Sequence, residues 1–545
     1  MLNMRRFYII ICLFFCISLN CYAQFAQIDG AYYHETDGGV KLTYVNPNGC
    51  SEIKNKGTFT IPDSVTGGPA GKKTLPVVAI GEEAFLYVKD KTFKLQGGNL
   101  VERVEKRAFK GCTKMTGFIN TKSLSYIGQE AFSQCHALTS VKISPAYYDI
   151  EIGKWAFEGC GFTYLEIGYR VKKISDYAFN ICTNLTSVKF ENGSKLTEIG
   201  NYAFQHCINL WSVSIPDNVT SIGEYAFAKR DMSGGDMQLY SVTIGASVKT
   251  IGTGAFYKCN NLTNVIWNVK RMDLSQTSVD VFNNLESIKT FTFGDKVEDI
   301  PSNLCQGCKG ITSITIPKSV SSVGNKAFAN CRGLKDVIWK AEYCTGTHAF
   351  DGLPNIISFT FADGVKIVPA YVCQHLTGLT QIDLPETVES IGRSAFQGCQ
   401  NLKTLSLCVE GKKVGVDAFN GCSSLSTIHN SYKRMEYGYW FYCTDDSDIT
   451  GYGHSGQFDD DVFQTCKLYV PSGLLEEYKK GFLWHHFVNM IEETSGIEDI
   501  EPDKIKAMEL ERYDINGRML SAPQPGINIV HYSDGSVSKV WVPNN

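Results

Sequence analysis

No block of like charge interrupts these 545 residues, and the formal net charge is only −4. A nucleic-acid-binding protein needs a clustered basic face to meet the phosphates, so that class is excluded. Beyond the first 23 residues no apolar run is long enough to span a bilayer. There is no Gly-x-Ser-x-Gly elbow, no P-loop and no His-Glu-x-x-His, so the common hydrolase, nucleotide and zinc-protease signatures are missing. The only close cysteine pair of C-x-x-C form, Cys305 and Cys308, has no second pair to complete a zinc site. Neighbouring positions on a helix do not face each other, so His485 and His486 beside Trp484 make a poor joint metal site. The expected cofactor and metal content is therefore none.

What the chain does have is one phrase, repeated about every 23 residues: Ile-Gly-x-x-Ala-Phe-x-x-Cys-x-x-Leu. It runs through Phe132 and Cys135, Phe204 and Cys207, and Phe396 and Cys399. A period in this range means a leucine-rich solenoid in which one repeat is one turn. Anchor phenylalanines recur from Phe85 to Phe419, with Cys305 and Val372 expected as replacements in register and Phe463 as the last anchor. About sixteen turns follow, or on the order of 75 Å at the spacing of paired strands.

Each turn reads in two halves. Segments such as Leu210-x-x-Val213-x-Ile215 alternate as a half-buried strand, and Pro216, Pro317 or Pro385 stops the ladder behind it. The return half, such as Val219 to Phe227, carries Gly223, which suits a tight turn. The fold class is thus a repeat solenoid with one parallel β-sheet face, a β-rich N-cap, a strand–helix C-cap and a small β tail. The expected divisions are an N-terminal cap over 24–78, a solenoid over 79–466 that is irregular at 430–461, and a C-terminal cap over 467–494. A linker over 495–506 and a small β module over 507–545 complete the chain.

Residues 1–23 read as a separate object. Arg5 and Arg6 precede an apolar run from Phe7 to Leu19, and Cys21-Tyr22-Ala23 has the form of a signal-peptidase site. The expectation is a secreted or surface-attached chain cleaved after Ala23, beginning at Gln24, with its net charge shifted from −4 to −6 by the loss of the two arginines. A lipidated Cys21 is the alternative, disfavoured by the bulky Asn20. The 20 cysteines fit the repeat: most follow an anchor by three positions, which makes a column of small buried thiols. Disulfides within that column are the alternative that secretion invites.

Binding residues are sought on the exposed middle position of each strand. That column includes Thr243, Ile266, Thr292, Thr315, Ile338 and Thr360, with Trp211 on its flank. Its polar members fit ordinary β-propensity on a solvated sheet, whereas Ile266 and Ile338 are apolar residues ringed by polar ones. Trp267 and Trp339 fall in the inward register. The insertion from Ala228 to Gln238 and the aromatic, acidic stretch from Asn430 to Asp461 depart from the period, and function collects on such loops. Tyr439 and Trp440 could serve there as sugar-stacking platforms, or the stretch could be a degenerate packed turn. Its aspartates are read as solvated, with Ca²⁺ binding as the alternative.

The repeated phrase resembles the BspA-like leucine-rich repeat family of bacterial surface proteins over about residues 80–466. The resemblance implies adhesion: binding of host matrix proteins such as fibronectin or fibrinogen, and co-aggregation with other bacteria. The tail, with Tyr513-Asp514-Ile515-Asn516-Gly517 and Pro525-Gly526-Ile527, resembles a short C-terminal sorting domain of Bacteroidetes type. The expected function is a non-enzymatic, surface-displayed protein that binds extracellular proteins. The alternative is a glycan-binding module using residues 430–461.

Overall fold

The computed structural model describes residues 24–46, 53, 57–68, 73–86, 88–89, 91–117, 121–231, 235–273, 281–344, 346–433, 456–481 and 483–493. Beyond these it describes 509–513, 518, 520, 522, 524, 526–532 and 537–542. Tyr439, Trp440, the 1–23 segment, the 495–506 segment and the Asn516-Gly517 dipeptide lie outside the described residues. The chain divides into two compact units, with the boundary between Ile491 and Glu492.

The first unit is a succession of turns stacked on a β-rich start. Gln24–Ile28, Ala31–Thr36 and Gly39–Val45 pair antiparallel, and Lys73–Ile80 then joins Gly39–Val45 in parallel. From there the strands of successive turns pair in parallel, for example Tyr164–Ile167 with Ser187–Phe190. The return half of the turn also forms a ladder. Two-residue strands such as Glu198–Ile199 and Ser221–Ile222 pair in parallel on the opposite side of the core. The sheet expected on one face is therefore accompanied by a second, narrower one.

The anchor rings fill the space between the two ladders. From Phe85 to Phe282 each ring stacks on the next, with centroids 4.4–5.6 Å apart. Each such pair contributes about 0.5–1.5 kcal/mol beyond its buried area. Backbone bonds run through the same layer: the Phe132 N–H donates to the Ala156 carbonyl at 2.7 Å, and Phe179 to Ala203 at 2.8 Å. Gly223 serves close approach rather than a turn. A Cβ there would stand 2.4 Å from the Asn201 nitrogen of the preceding turn.

Two seams divide the long ladder. Among the described strands it splits into a seven-stranded sheet ending at Thr290–Phe293, a three-stranded sheet from Ser313–Ile316 to Ser358–Phe361, and a five-stranded sheet beginning at Gln381–Asp383. Proline contributes to both seams. In regular turns the residue after the strand donates to the previous turn's last strand carbonyl, as Gly168 does to Ile143 at 2.7 Å and Ala362 to Trp339 at 2.9 Å. Pro317 and Pro385 occupy that position and have no N–H. Pro216 has a milder effect, leaving its strand paired to the preceding one only through Ser187 and Ser212.

The same seams interrupt the anchor stack. Cys305 holds the first vacant anchor position, its N–H donating to the Ala327 carbonyl as the phenylalanines do. The second belongs to Cys373, which donates to the Ala395 carbonyl at 2.8 Å. Val372, expected there, takes the preceding alanine position instead. Strand phenylalanines fill the missing volume. Phe293 reaches Phe328 edge-on at 6.3 Å, and Phe361 reaches Phe396 edge-on at 6.2 Å.

At the C-terminal end the last anchor is Phe458, stacked on Phe419 at 4.8 Å. Phe463, the expected last anchor, sits instead on the helix Asp460–Thr465 and meets Phe458 edge-on. The helical part of the expected strand–helix C-cap is short. It comprises the helix Leu475–Tyr478 and a 3₁₀ turn Trp484–His486, followed by the strand Asn489–Glu492. The His485 and His486 rings are 3.8 Å apart on that turn. The second unit contains an antiparallel sheet of Glu509–Tyr513, Gly526–Tyr532 and Val537–Val542.

Candidate functional site

Strand register decides which mid-strand side chains become neighbours. Thr243, Ile266 and Thr292 are aligned across three adjacent strands. Thr315, Ile338 and Thr360 are aligned across the next three. Ile338 is 41% exposed, while Ile266 is half-buried. The two groups lie on either side of the first proline seam. There Thr292 and Thr315 line a groove of about 380 Å³, bordered by Lys289, Asp295 and Lys340. Ile266 and Ile338 therefore do not form one continuous strip. Trp267 and Trp339 are fully buried, as their register required.

Trp211 lies just before its strand and is 58% exposed. It stacks on Tyr240 of the next turn, with centroids 5.4 Å apart. Tyr240 escaped the reading along the strand middles because it too precedes its strand. The insertion that follows Ala228 runs close by: Gln238 donates to the Ile208 carbonyl, and Lys229 pairs with Asp236 at 3.3 Å. Glu166 was also missed, although it stands in register between Lys142 and Lys189. Its carboxylate accepts from Lys142 at 2.9 Å, and that bond holds its pKa below the usual range.

The cysteines show what the repeat needs at their position. Each column thiol donates to the carbonyl of the preceding anchor: Cys135 to Phe109 at 3.3 Å, Cys207 to Phe179 at 3.3 Å, Cys399 to Cys373 at 3.1 Å. Fifteen cysteines among the described residues are free, and all but Cys408 are buried. Burial raises the thiol pKa, to about 12 at Cys331 and at Cys399. A protonated thiol is a poor nucleophile and a poor metal ligand. Cys466 departs from the column, turning to the neighbouring Lys467 carbonyl. Among the described residues no group of three His, Cys, Asp or Glu side chains could hold a metal. No helix among them is long and apolar enough to cross a membrane.

This succession of anchor ring, thiol and paired strand matches a known profile. The BspA type leucine rich repeat region (6 copies) matches residues 78–151, 102–233, 234–343 and 344–469. The chain belongs to the BspA-type leucine-rich repeat family. Among solved structures, a leucine-rich repeat protein from Bacteroides ovatus ATCC 8483 is 25% identical, covering 74% of this chain and 94% of its own, with a TM-score of 0.40. A leucine rich cell surface protein from Faecalibacterium prausnitzii A2-165 is 23% identical over 76% of this chain and 96% of its own, with a TM-score of 0.33. A comparison with curated proteins gives no match. In this BspA-type array the seams, the exposed Trp211–Tyr240 pair and the mid-strand isoleucines are the departures from a uniform repeat.

Proposed function

We propose that this BspA-type protein is a surface-displayed adhesin that binds extracellular proteins without catalysis, through the parallel sheet between Thr243 and Thr360. Leucine-rich repeat arrays offer extended surfaces to macromolecules rather than enclosed pockets. The observation that carries the reading is Ile338, exposed on the sheet and flanked in register by Thr315 and Thr360. An apolar side chain held rigidly on a polar face supplies contact area at little entropic cost. Thr243, Ile266 and Thr292 form a second contact set across the groove, and Trp211 extends the surface toward the N-terminus.

The test is solid-phase binding of the chain to immobilised fibronectin and fibrinogen, with a glycan array in parallel. Saturable matrix-protein binding, lost in Ile266→Asp plus Ile338→Asp with an unchanged circular dichroism spectrum, supports the site. Binding confined to glycans, and abolished by Tyr439→Ala plus Trp440→Ala, would move the function to residues 430–461 and sink the adhesin reading.

A further inference from the structure

The N-terminal turns carry a layered charge distribution. On the strand face, Lys142 pairs with Glu166 at 2.9 Å and with Glu191 at 3.4 Å, and Lys189 approaches Glu166 at 3.8 Å. Between the strand face and the return half, Asp149 is met by Lys172, from the return-half strand Val171–Ile174, at 2.9 Å, and by Lys195 at 3.0 Å and Arg170 at 3.2 Å from the loops. The three carboxylates are only 14–26% exposed, whereas Lys142, Lys172, Lys189 and Lys195 are 43–61% exposed. Acid lies underneath and ammonium groups lie on top.

The charges do not cancel. Asp149 alone faces three cations, and hydrogen bonds from Lys172 and Lys195 hold its carboxyl at about 2. Exposed Lys122 adds to the excess, its carbonyl accepting from the Tyr147 N–H at the edge of the same loop. Counting the five lysines and Arg170 against three carboxylates leaves a surplus of three positive charges on a chain whose net charge is −4. Such a local field raises the concentration of anions above it.

We infer that this surface is a binding site for an anionic polysaccharide, bearing sulfate or uronate groups, laid along the solenoid axis. Lys142 and Lys189 stand two strands apart with Glu166 between them, and both ammonium groups approach the same Glu166 oxygen, so they concentrate positive charge at one point of the surface, while Lys172, Lys195 and Arg170 around Asp149 make a second such point. A polymer with a charge in each repeating unit can meet both. Tyr147 is 61% and Tyr148 is 49% exposed beside this row, and the C–H-rich face of a sugar ring packs against such rings. An acidic peptide would gain from the charges but has no such need of the tyrosines. This site is separate from the sheet surface proposed above and does not depend on it.

The experiment measures binding of the full chain to heparin, polyglutamate and neutral dextran at low and high salt. Heparin should bind, weakening steeply as salt rises, and dextran should not. Replacing Lys142, Lys172, Lys189 and Lys195 together by Gln should weaken heparin binding tenfold or more, while arginine at the same four positions retains it. A thermal melt of each variant separates loss of binding in the glutamine set from loss of fold. Tyr147→Ala plus Tyr148→Ala should weaken heparin several-fold and leave polyglutamate unaffected. Absence of heparin binding at low salt, or glutamine variants that bind as before, overturns the site. Polyglutamate binding as tight as heparin, with no effect of the tyrosine changes on either, overturns the polysaccharide and assigns an acidic protein instead.

Discussion

The pairing of a small anchor with a large strand residue at each seam predicts a compensating swap. Cys305→Phe restores the ring that regular turns carry, but Phe293 already occupies that space on its way to Phe328. Overpacking a filled core costs about 1–3 kcal/mol. Phe293→Ile restores the residue type found in regular strands such as Ser140–Ile143, but alone it leaves the gap above Cys305 unfilled. That cavity also costs about 1–3 kcal/mol by the scale of large-to-small core changes. If the two sites were independent the double variant would lose about 2–6 kcal/mol. The reasoning here expects it to fall within about 1 kcal/mol of the parent, because Phe282, the new ring and Phe328 then form one stack. Urea denaturation of the four chains gives the cycle. Native-state hydrogen exchange at residues 282–328 localises it, since a solenoid can open turn by turn. Additive losses in the double variant would refute the idea that Phe293 stands in for the missing anchor. Phe361→Ile with Cys373→Phe provides an independent repeat of the test at the second seam.

Three further outcomes are expected. A thiol reagent at pH 8 should label Cys408 in the native chain but not the buried column, which should react only in denaturant; rapid native labelling of Cys135 or Cys207 would contradict their burial. Asp149 titrates at about 2 instead of 3.8, so its pairing favours the folded state above the unfolded pKa and is lost as pH falls from about 4 toward 2. Carboxyl NMR should show that midpoint, moving upward in Lys172→Gln plus Lys195→Gln; an unmoved midpoint would remove those lysines as the cause. Gly223→Ala should destabilise by more than about 1 kcal/mol, because the new Cβ meets the Asn201 nitrogen at 2.4 Å; a neutral melting curve would show that the preceding turn can yield.

The turn-to-turn architecture was legible because the repeat writes it many times over. The anchors from Phe85 to Phe282 and the column through Cys135, Cys207 and Cys399 occupy the register their spacing implied. Errors came where one turn departs from the phrase and a single copy must be read alone. Spacing alone puts Val372 in the anchor register, although backbone bonding assigns Cys373. Phe463 has the three-residue spacing to Cys466 that marks an anchor, while the ring on the stack is Phe458. Most strands of the second ladder have only two residues, too few for alternation to show. The exposed pair Trp211–Tyr240 and the charge layer around Asp149 join residues one or more turns apart. Those partners are visible only once the coil brings successive loops together.

The proline seams also set how the array bears a pulling force. Along the coil axis, neighbouring turns are tied by several backbone bonds that share tension, and at Pro317 and Pro385 one of those ties is missing by chemistry. A chain anchored at one end and gripped at the other yields first at these two joints. Inside the seven-strand block, Pro216 makes a third and milder joint, where one paired position still ties the strands. Extension is then expected in steps, one joint after another, with the fully paired strands on either side of each joint parting last.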